Sequence, residues 1–349
     1  MQHTGGYART RLLWPDLARG LAVISMLFAH TAPAGGVLLI VEFLTAPLFA
    51  TLVAVSMQLD WQNRGADTER WRLGQVFRGL TLIVLGELAQ PLYAQIVIVL
   101  QALGFLTIAL AMLVPVLAQR PRTSLALAVG TMLLSPVIMG ASRTWVTSAP
   151  LPASLLWVVN HLASSPYYRL TTFLALGFVG LALGFWLHRR VSRPRRLLVA
   201  AITLTVVTVG LFLVGVLTPV DLRPYSGTSF EITANAFLVA GSILWCAWAT
   251  ATWPPTVLRL LDPLIATGRM ALTAYLGQVV LLAYITRRFT NGVDDLWSVL
   301  ASTTILLVGF CWAWQRMNEP RLFEALLRWP RVVETQRPPS HQGLGRSST

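Results

Sequence analysis

The feature that most constrains this chain is a succession of apolar runs, each near the length of a membrane-crossing helix, joined by short arginine-bearing links. A hydrocarbon core of about 30 Å needs about 20 apolar residues in helical form. Inside it every backbone polar group must find its partner within the protein, which selects the helix. About ten runs can be marked: Leu12–Ala32, Val37–Leu59, Val76–Gln90, Ile96–Leu117, Ser124–Gly140, Leu170–Leu187, Leu197–Leu217, Ile232–Trp253, Met270–Ile285 and Leu296–Gln315. The links leave no room for a soluble module. Composition agrees, with 55% hydrophobic and 12% charged residues, where soluble domains carry about a quarter charged. This excludes a water-soluble enzyme, a disordered chain and a large polar ectodomain. The expected fold class is all-α, a polytopic membrane helix bundle of about ten transmembrane helices forming a single domain over residues 1–330. Residues 331–349, rich in Arg, Pro, Ser and Gly, read as a disordered cytoplasmic tail.

All 27 basic residues are arginines, and against 14 acidic residues they leave a net charge of +13. In a soluble chain that balance would suggest nucleic acid, but here the arginines concentrate in alternate links. Arg9 and Arg11 precede the first run, Arg64, Arg70 and Arg72 follow the second, and Arg120 and Arg122 follow the fourth. Arg189, Arg190, Arg193, Arg195 and Arg196 follow the sixth, Arg259 and Arg269 the eighth, and Arg316, Arg321 and Arg328 the last. With alternating spans these share one side, which the positive-inside rule assigns to the cytoplasm together with both termini. The opposite side holds chiefly Arg143, Arg169, Arg223, Arg287 and Arg288. The expected location is therefore the cytoplasmic (inner) membrane, multi-pass. The bilayer is the expected partner, nucleic acid is not, and a homo-oligomer is left open. Arg9, Arg11 and Ala32-Pro33-Ala34 imitate a secretory signal. Asp16 and Arg19 interrupt its apolar run, however, and further spans follow, so it reads as a retained helix. Cys246 and Cys311 have neither metal-type spacing nor a disulfide framework, and no metal is expected. No visible repeat points to an inverted-repeat transporter.

Ionisable groups within a bilayer are costly, so they pair, face a watery cavity, or work. The first run carries Asp16, Arg19 and His30. Eleven residues separate Arg19 from His30, a step that returns to within about 20° of the same helix face after a rise of about 16 Å. One polar stripe should thus face the bundle interior. It can be an anchor, with Arg19 paired to Asp16 and His30 bonded to a carbonyl. It can also be chemistry, since histidine titrates near neutrality and serves as a general base. Glu87 lies deep in the third span, where it can pair with Arg19 or Arg269 or stay protonated. Arg78 either snorkels to the interface or meets an anionic group. Arg269 opens the ninth span, where a helix N-terminus also attracts anions. Gln101, Thr273, Tyr275 and Gln278 suit either a polar cavity or interhelix hydrogen bonds. The long link from Ala141 to Arg169 holds Trp145, Trp157, Asn160, His161, Tyr167 and Tyr168, either an interfacial aromatic belt or a lid. Glu42, by depth alone, falls near His30.

The segment Asp16-Leu17-Ala18-Arg19-Gly20-Leu21-Ala22, with His30 at its fixed offset, resembles the opening motif of the transmembrane acyltransferase superfamily. That group includes the acyltransferase 3 family and the heparan-alpha-glucosaminide N-acetyltransferase-like proteins. Ala46-Pro47-Leu48-Phe49 with Val55-Ser56, and Val99-Leu100-Gln101-Ala102-Leu103-Gly104, resemble two further segments of its pattern. Gly268-Arg269-Met270-Ala271-Leu272-Thr273-Ala274-Tyr275 resembles the corresponding segment of YeiB-like bacterial membrane proteins. The chain departs from these patterns in having Ala102 for an arginine, Val55 for a glycine, and no histidine over residues 31–36.

The resemblance implies an integral membrane acyltransferase. It would move an acyl group from a cytoplasmic acyl-CoA, acetyl-CoA being favoured, to an extracytoplasmic glycan, glycolipid or lipid. The catalytic candidates are His30, Arg19 and Asp16; the donor-binding candidates are Arg269, Arg78 and Gln101; the acceptor-side candidates are Glu42, His161 and Glu87. Acyl-CoA is the only cofactor-like group implied. Two other classes compete, a transporter or flippase and a non-catalytic membrane subunit of an envelope complex.

Overall fold

A computed structural model describes residues 12–33, 40–63, 67–92, 96–148, 152–290, 293–317 and 322–327. Residues 331–349, expected as a tail, lie outside the described residues, as do Arg9, Arg11, Arg64, Arg321 and Arg328. Among the described residues there are helices and no strands. In chain order they are α1 (Trp14–Thr31), α2 (Ile40–Asn63), α3 (Thr68–Ala89), α4 (Leu100–Leu117), α5 (Pro121–Ser148), α6 (Ala153–Val159) and α7 (Leu170–Arg190). They continue with α8 (Pro194–Leu217), α9 (Ser229–Thr252), α10 (Pro255–Leu260), α11 (Asp262–Arg269), α12 (Ala271–Arg288), α13 (Trp297–Met317) and α14 (Leu322–Leu326).

Local chemistry sets several boundaries. Pro15 and Asp16 occupy the first turn of α1, where a missing N–H is harmless and a negative charge is favoured. The Asp67 side chain caps α3 by accepting from Arg70 N, and the Thr228 hydroxyl caps α9 by accepting from Glu231 N. Pro194 and Pro255 begin α8 and α10 for the same reason that Pro15 suits α1.

Among the described residues, seven helices are long and apolar enough to cross a membrane: α2, α4, α5, α7, α8, α9 and α13. The pair α11 and α12 would add an eighth, but it bends by 89° at Met270. The chain is thus built as a helical membrane protein. Runs marked in the sequence at the first and third positions form α1 and α3, whose charged and small residues keep them below that apolar standard. Burial sorts the helices into layers. The most apolar windows of α2, α4, α7 and α9 are 61–67% buried, while those of α5, α8 and α13 are 17–28% buried. The former make the inside of the bundle and the latter turn valine and leucine outward, as lipid-facing helices do.

Two stretches differ from their sequence reading. The ninth span does not begin as one straight helix at Met270, because α11 precedes it and meets it at the bend. The long link after Gly140 is largely helical: α5 runs on to Ser148, and α6 passes into a π-turn over Asn160–Ser164. Helix–helix contact by small residues is prominent. A Cβ on Gly79 would fall 2.7 Å from Gly104 O, and one on Gly180 would fall 2.6 Å from Thr51 O, so α3 meets α4, and α7 meets α2, backbone to backbone.

Candidate functional site

Asp16, whose side chain is buried, stands at the centre of a network that joins three segments distant in sequence. Its Oδ1 accepts from Arg19 Nη1 at 2.9 Å, and its Oδ2 accepts from Arg269 Nε at 3.3 Å. Arg19 also donates through Nη2 to Ser56 Oγ at 2.8 Å. One carboxylate therefore holds α1 to the α11–α12 junction, and Arg19 carries the network on to α2. Two guanidinium groups offset the desolvation that a lone buried carboxylate would suffer.

Glycine makes this approach sterically possible. A Cβ at Gly268 would lie 1.7 Å from Asp16 O, and one at Gly20 would lie 2.2 Å from Leu264 O. No side chain fits at either point. The glycine of the first segment and the glycine of the ninth-span segment are thus the two halves of a single helix crossing.

Beside the network lies a cavity of about 340 Å³. Arg19, Arg78, Arg269, Ser56, Asp60, Tyr275 and Glu324 give it polar walls, and Phe49, Val53, Leu82, Leu100 and Leu103 give it apolar ones. A smaller void of about 60 Å³ shares Arg19, Ser56 and Arg78 and reaches Gln75 and Thr107. Asp60 Oδ2 accepts from Trp71 Nε1 at 3.0 Å and from Gln75 Nε2 at 3.3 Å. Gln75 Oε1 is buried with no protein partner.

The first turn of α12 forms one wall. Leu272 N and Thr273 N donate to Glu324 Oε1 at 2.9 and 3.0 Å, and Thr273 Oγ1 donates to Glu324 Oε2 at 2.7 Å. Tyr275 Oη accepts from Val99 N at 3.0 Å, which ties α12 to the start of α4.

Of the residues expected from sequence, Asp16, Arg19, Arg78 and Arg269 are brought together here. His30 lies in the last turn of α1, half-buried, without a hydrogen bond to any described residue, and it is not among the residues lining the cavity. Gln101 is likewise absent from that lining. It is buried and donates to Glu87 Oε1 at 3.3 Å, while its side chain covers Gly86. Glu87 also accepts from Trp157 Nε1 at 3.2 Å, so its described partners are these two donors, and the arginines meet Asp16 instead.

His161 belongs to the same second cluster. Its Nδ1 lies 2.8 Å from Trp157 O, and its ring packs, tilted, with its centroid 4.5 Å from Trp157 and 5.8 Å from Phe105. Because a carbonyl only accepts, Nδ1 carries the proton and Nε2 of a neutral ring is the free acceptor. The π-turn that places this histidine is of a kind frequent at functional sites.

Glu42 stands at the opposite end of α2. Its main-chain oxygen accepts from Tyr225 Oη at 3.2 Å, and Tyr225 Oη also lies 3.2 Å from Thr45 Oγ1. Tyr225 takes φ +60°, a left-handed conformation costly for a tyrosine. It is pinned from the other side by the fully buried Arg169, which donates through Nη2 to Tyr225 O at 3.0 Å. Burial pushes the Tyr225 phenol up to about 12 and raises Tyr168 well above its ordinary value. On the exposed loop nearby, the guanidinium of Arg223 holds Asp221 down at about 2.

Asp60, Glu324 and the Gly20–Gly268 crossing were not singled out by sequence. Asp60 ends an apolar run as many interfacial acids do, and Glu324 comes from a polar segment 51 residues beyond Thr273. Neither carries a local signal. Among the described residues no cluster of three or more His, Cys, Asp or Glu side chains could hold a metal ion.

Residues 181–319 match a family described as a protein of unknown function (DUF418), whose members are YeiB-like membrane proteins. The match runs from α7 to just beyond α13, includes the Gly268–Tyr275 segment, and leaves the Asp16–His30 segment outside. Comparison with curated proteins finds no match to the chain.

Proposed function

We propose that this protein is an integral acyltransferase of the cytoplasmic membrane, with about ten spans and both termini in the cytoplasm. The donor is a cytoplasmic acyl-CoA, with acetyl-CoA favoured, and the acceptor is an extracytoplasmic glycan, glycolipid or lipid. The observation that carries this reading is the cavity walled by Arg19, Arg78 and Arg269, set on the same helix that bears His30 eleven residues further on. Arginine groups and a helix N-terminus suit phosphates, and apolar walls suit the remainder of an acyl donor. Asp16 positions Arg19 and Arg269. His30, about 16 Å along α1 from Arg19, acts as general base: it takes the proton of the acceptor hydroxyl or amine while that atom attacks the thioester carbonyl. The carbon–sulfur bond breaks, and the CoA thiolate leaves and is protonated. Glu42, His161 and Glu87 belong to the acceptor side.

Two measurements test this. Acetyl-CoA at about a hundredfold its Kd should stabilise the detergent-solubilised protein by about 2.7 kcal/mol, and Arg269→Gln should weaken that stabilisation. His30→Ala should leave donor binding intact and abolish the acyl decoration of envelope glycans seen by mass spectrometry. Unchanged decoration, in a strain where deletion removes it, would overturn the role of His30.

A second reading, a transporter or flippase, is favoured by the 89° break at Met270, since discontinuous helices with exposed termini form substrate sites in transporters. It predicts no stabilisation by acyl-CoA and substrate exchange across proteoliposome membranes.

A further inference from the structure

Between Glu87 and Asp221 the chain has no acidic residue, yet it has nine arginines. Seven of them stand at two helix junctions. Arg120 and Arg122 lie where α4 gives way to α5, and Arg189, Arg190, Arg193, Arg195 and Arg196 lie where α7 gives way to α8. Packing brings both junctions to one end of the bundle: Gln58 of α2 donates through Nε2 to Ala118 O at 2.7 Å, and a Cβ on Gly184 of α7 would lie 3.0 Å from the Gln58 Cβ. The second junction is tight, with Arg193 N donating to Arg190 O at 2.9 Å and Arg196 N to Arg193 O at 3.0 Å. Arg190 and Arg193 are close enough to repel Arg196. All but Arg190 are exposed, and among the described residues none of the seven makes an ion pair. The positive-inside bias asks only for an excess of arginine on one side. Crowding without acids between them adds self-repulsion, which a bound anion relieves.

A second, independent feature adjoins this patch. An apolar groove of about 350 Å³ runs between α5, α8 and α9, with Leu125, Val129, Leu133, Leu204, Phe237 and Ala240 among its walls. Arg122, Leu125, Val129 and Leu133 follow one another at steps of three and four residues, and so share one face of α5. The three apolar members are 49–62% exposed, so that face looks out of the bundle. Eleven residues separate Arg122 from Leu133, a rise of about 16 Å, which is about half of a hydrocarbon core of about 30 Å. The groove thus has the depth of one leaflet, with arginine at headgroup level. Its hydroxyls are already satisfied: Ser229 Oγ donates to Met132 O at 2.8 Å and Thr233 Oγ1 to Ser229 O at 2.7 Å. Such walls suit a hydrocarbon chain. The larger groove at the other end of α8, about 820 Å³, lacks the charge signal, because its rim arginine, Arg223, is paired with Asp221 at 2.9 Å.

We propose that this end of the bundle holds one anionic phospholipid of the adjoining leaflet, its phosphate among Arg122 and the arginines that open α8, and one acyl chain in the groove between α5, α8 and α9. The site is separate from the cavity around Asp16 and does not depend on what that cavity binds. Each arginine beside an anionic headgroup contributes favourably, and each methylene buried in the groove contributes further. A soluble phosphate gains the first and lacks the second.

The test uses the full-length protein in a non-ionic detergent, titrated with dioleoyl phosphatidylglycerol, dioleoyl phosphatidylcholine and glycerol phosphate. Native mass spectrometry counts the bound molecules and gives the affinity of each. The expected result is one phosphatidylglycerol per chain, bound about tenfold tighter than phosphatidylcholine and not displaced by equimolar glycerol phosphate. The triple substitution Arg193→Gln, Arg195→Gln and Arg196→Gln should remove that preference. Val129→Trp, at an exposed position that lines the groove, should weaken both phospholipids alike. Equal affinity of wild type for the two phospholipids overturns the proposal, and that comparison needs no variant. Displacement by glycerol phosphate overturns it too, since phosphate alone then fills the site. A preference that survives the triple substitution overturns the arginine seat, and unchanged lipid affinity in Val129→Trp overturns the groove.

Discussion

Asp16 is the residue on which the site turns, because one carboxylate serves two guanidinium groups from segments some 250 positions apart, Arg269 lying 253 residues away. Removing its charge turns one of the two acceptor oxygens into an amide donor, so the side chain can no longer accept from both arginines through separate oxygens. Asp16→Asn should lower stability by about 3 kcal/mol, the low end for a broken buried pair, because each arginine retains solvent. In a double-mutant cycle its effect should couple strongly to that of Arg269→Gln, and additive melting temperatures would count against the shared bridge. Tyr225 supplies a second residue-scale test, outside the spans. Its folded value of about 12 lies above the ordinary 10, so the folded loop keeps the proton that the unfolded chain gives up first. The stabilisation is whole below pH 10 and declines as pH rises from 10 to 12. Thermal melting over that range should show the decline in wild type and a flatter profile in Tyr225→Phe, which at neutral pH should cost about 1 kcal/mol for its lost hydrogen bonds.

At the scale of elements, the crossing of α1 and α11 decides where the arginines meet. Gly20 and Gly268 permit a backbone approach that any side chain would block. Gly268→Ala should therefore separate the helices, cost more than about 3 kcal/mol, and weaken the Arg269–Asp16 bridge along with them. Gly74→Ala is the control, since a Cβ added there would meet nothing within 4 Å; on helix propensity alone it should gain about 0.5–1 kcal/mol. Comparable losses at the two glycines in detergent melting would refute the close-crossing account. The break between α11 and α12 belongs to this scale too. It frees the first-turn amides of α12, which a continuous helix would have consumed internally.

Over the whole molecule, the arginine distribution makes a topological prediction. With Cys246 and Cys311 both buried, single cysteines at exposed loop positions should be the reactive thiols. Ser192→Cys, between α7 and α8, should react with a membrane-impermeant thiol reagent only after the cytoplasmic face is opened. Thr218→Cys, after α8, should react in intact cells; the reverse pattern would invert the orientation. How much of this was legible in sequence follows from the range of the forces involved. Apolar runs announced helices, and seven long apolar ones stand among the described residues, because hydropathy acts locally and needs no neighbour. The Asp16–Arg19 part of the α1 stripe was legible for the same reason, as helical spacing fixes which residues share a face, whereas His30 at the far end of that stripe does not line the cavity. Asp16 with Arg19 is such a pair, three residues apart.

What sequence could not supply was the partner across space. Nothing near Asp16 names Arg269, nothing near Thr273 names Glu324, and Gln101 looks as suited to a cavity as to the hydrogen bond it makes with Glu87. Those choices depend on how closely two backbones approach and on where a helix breaks, so they were made when the bundle packed. The sequence by itself determined that this is a chain of helices for a membrane, with charge kept to a few places. The tertiary structure alone decided which of those charges meet around a cavity, because a glycine crossing is a property of two helices and belongs to neither one.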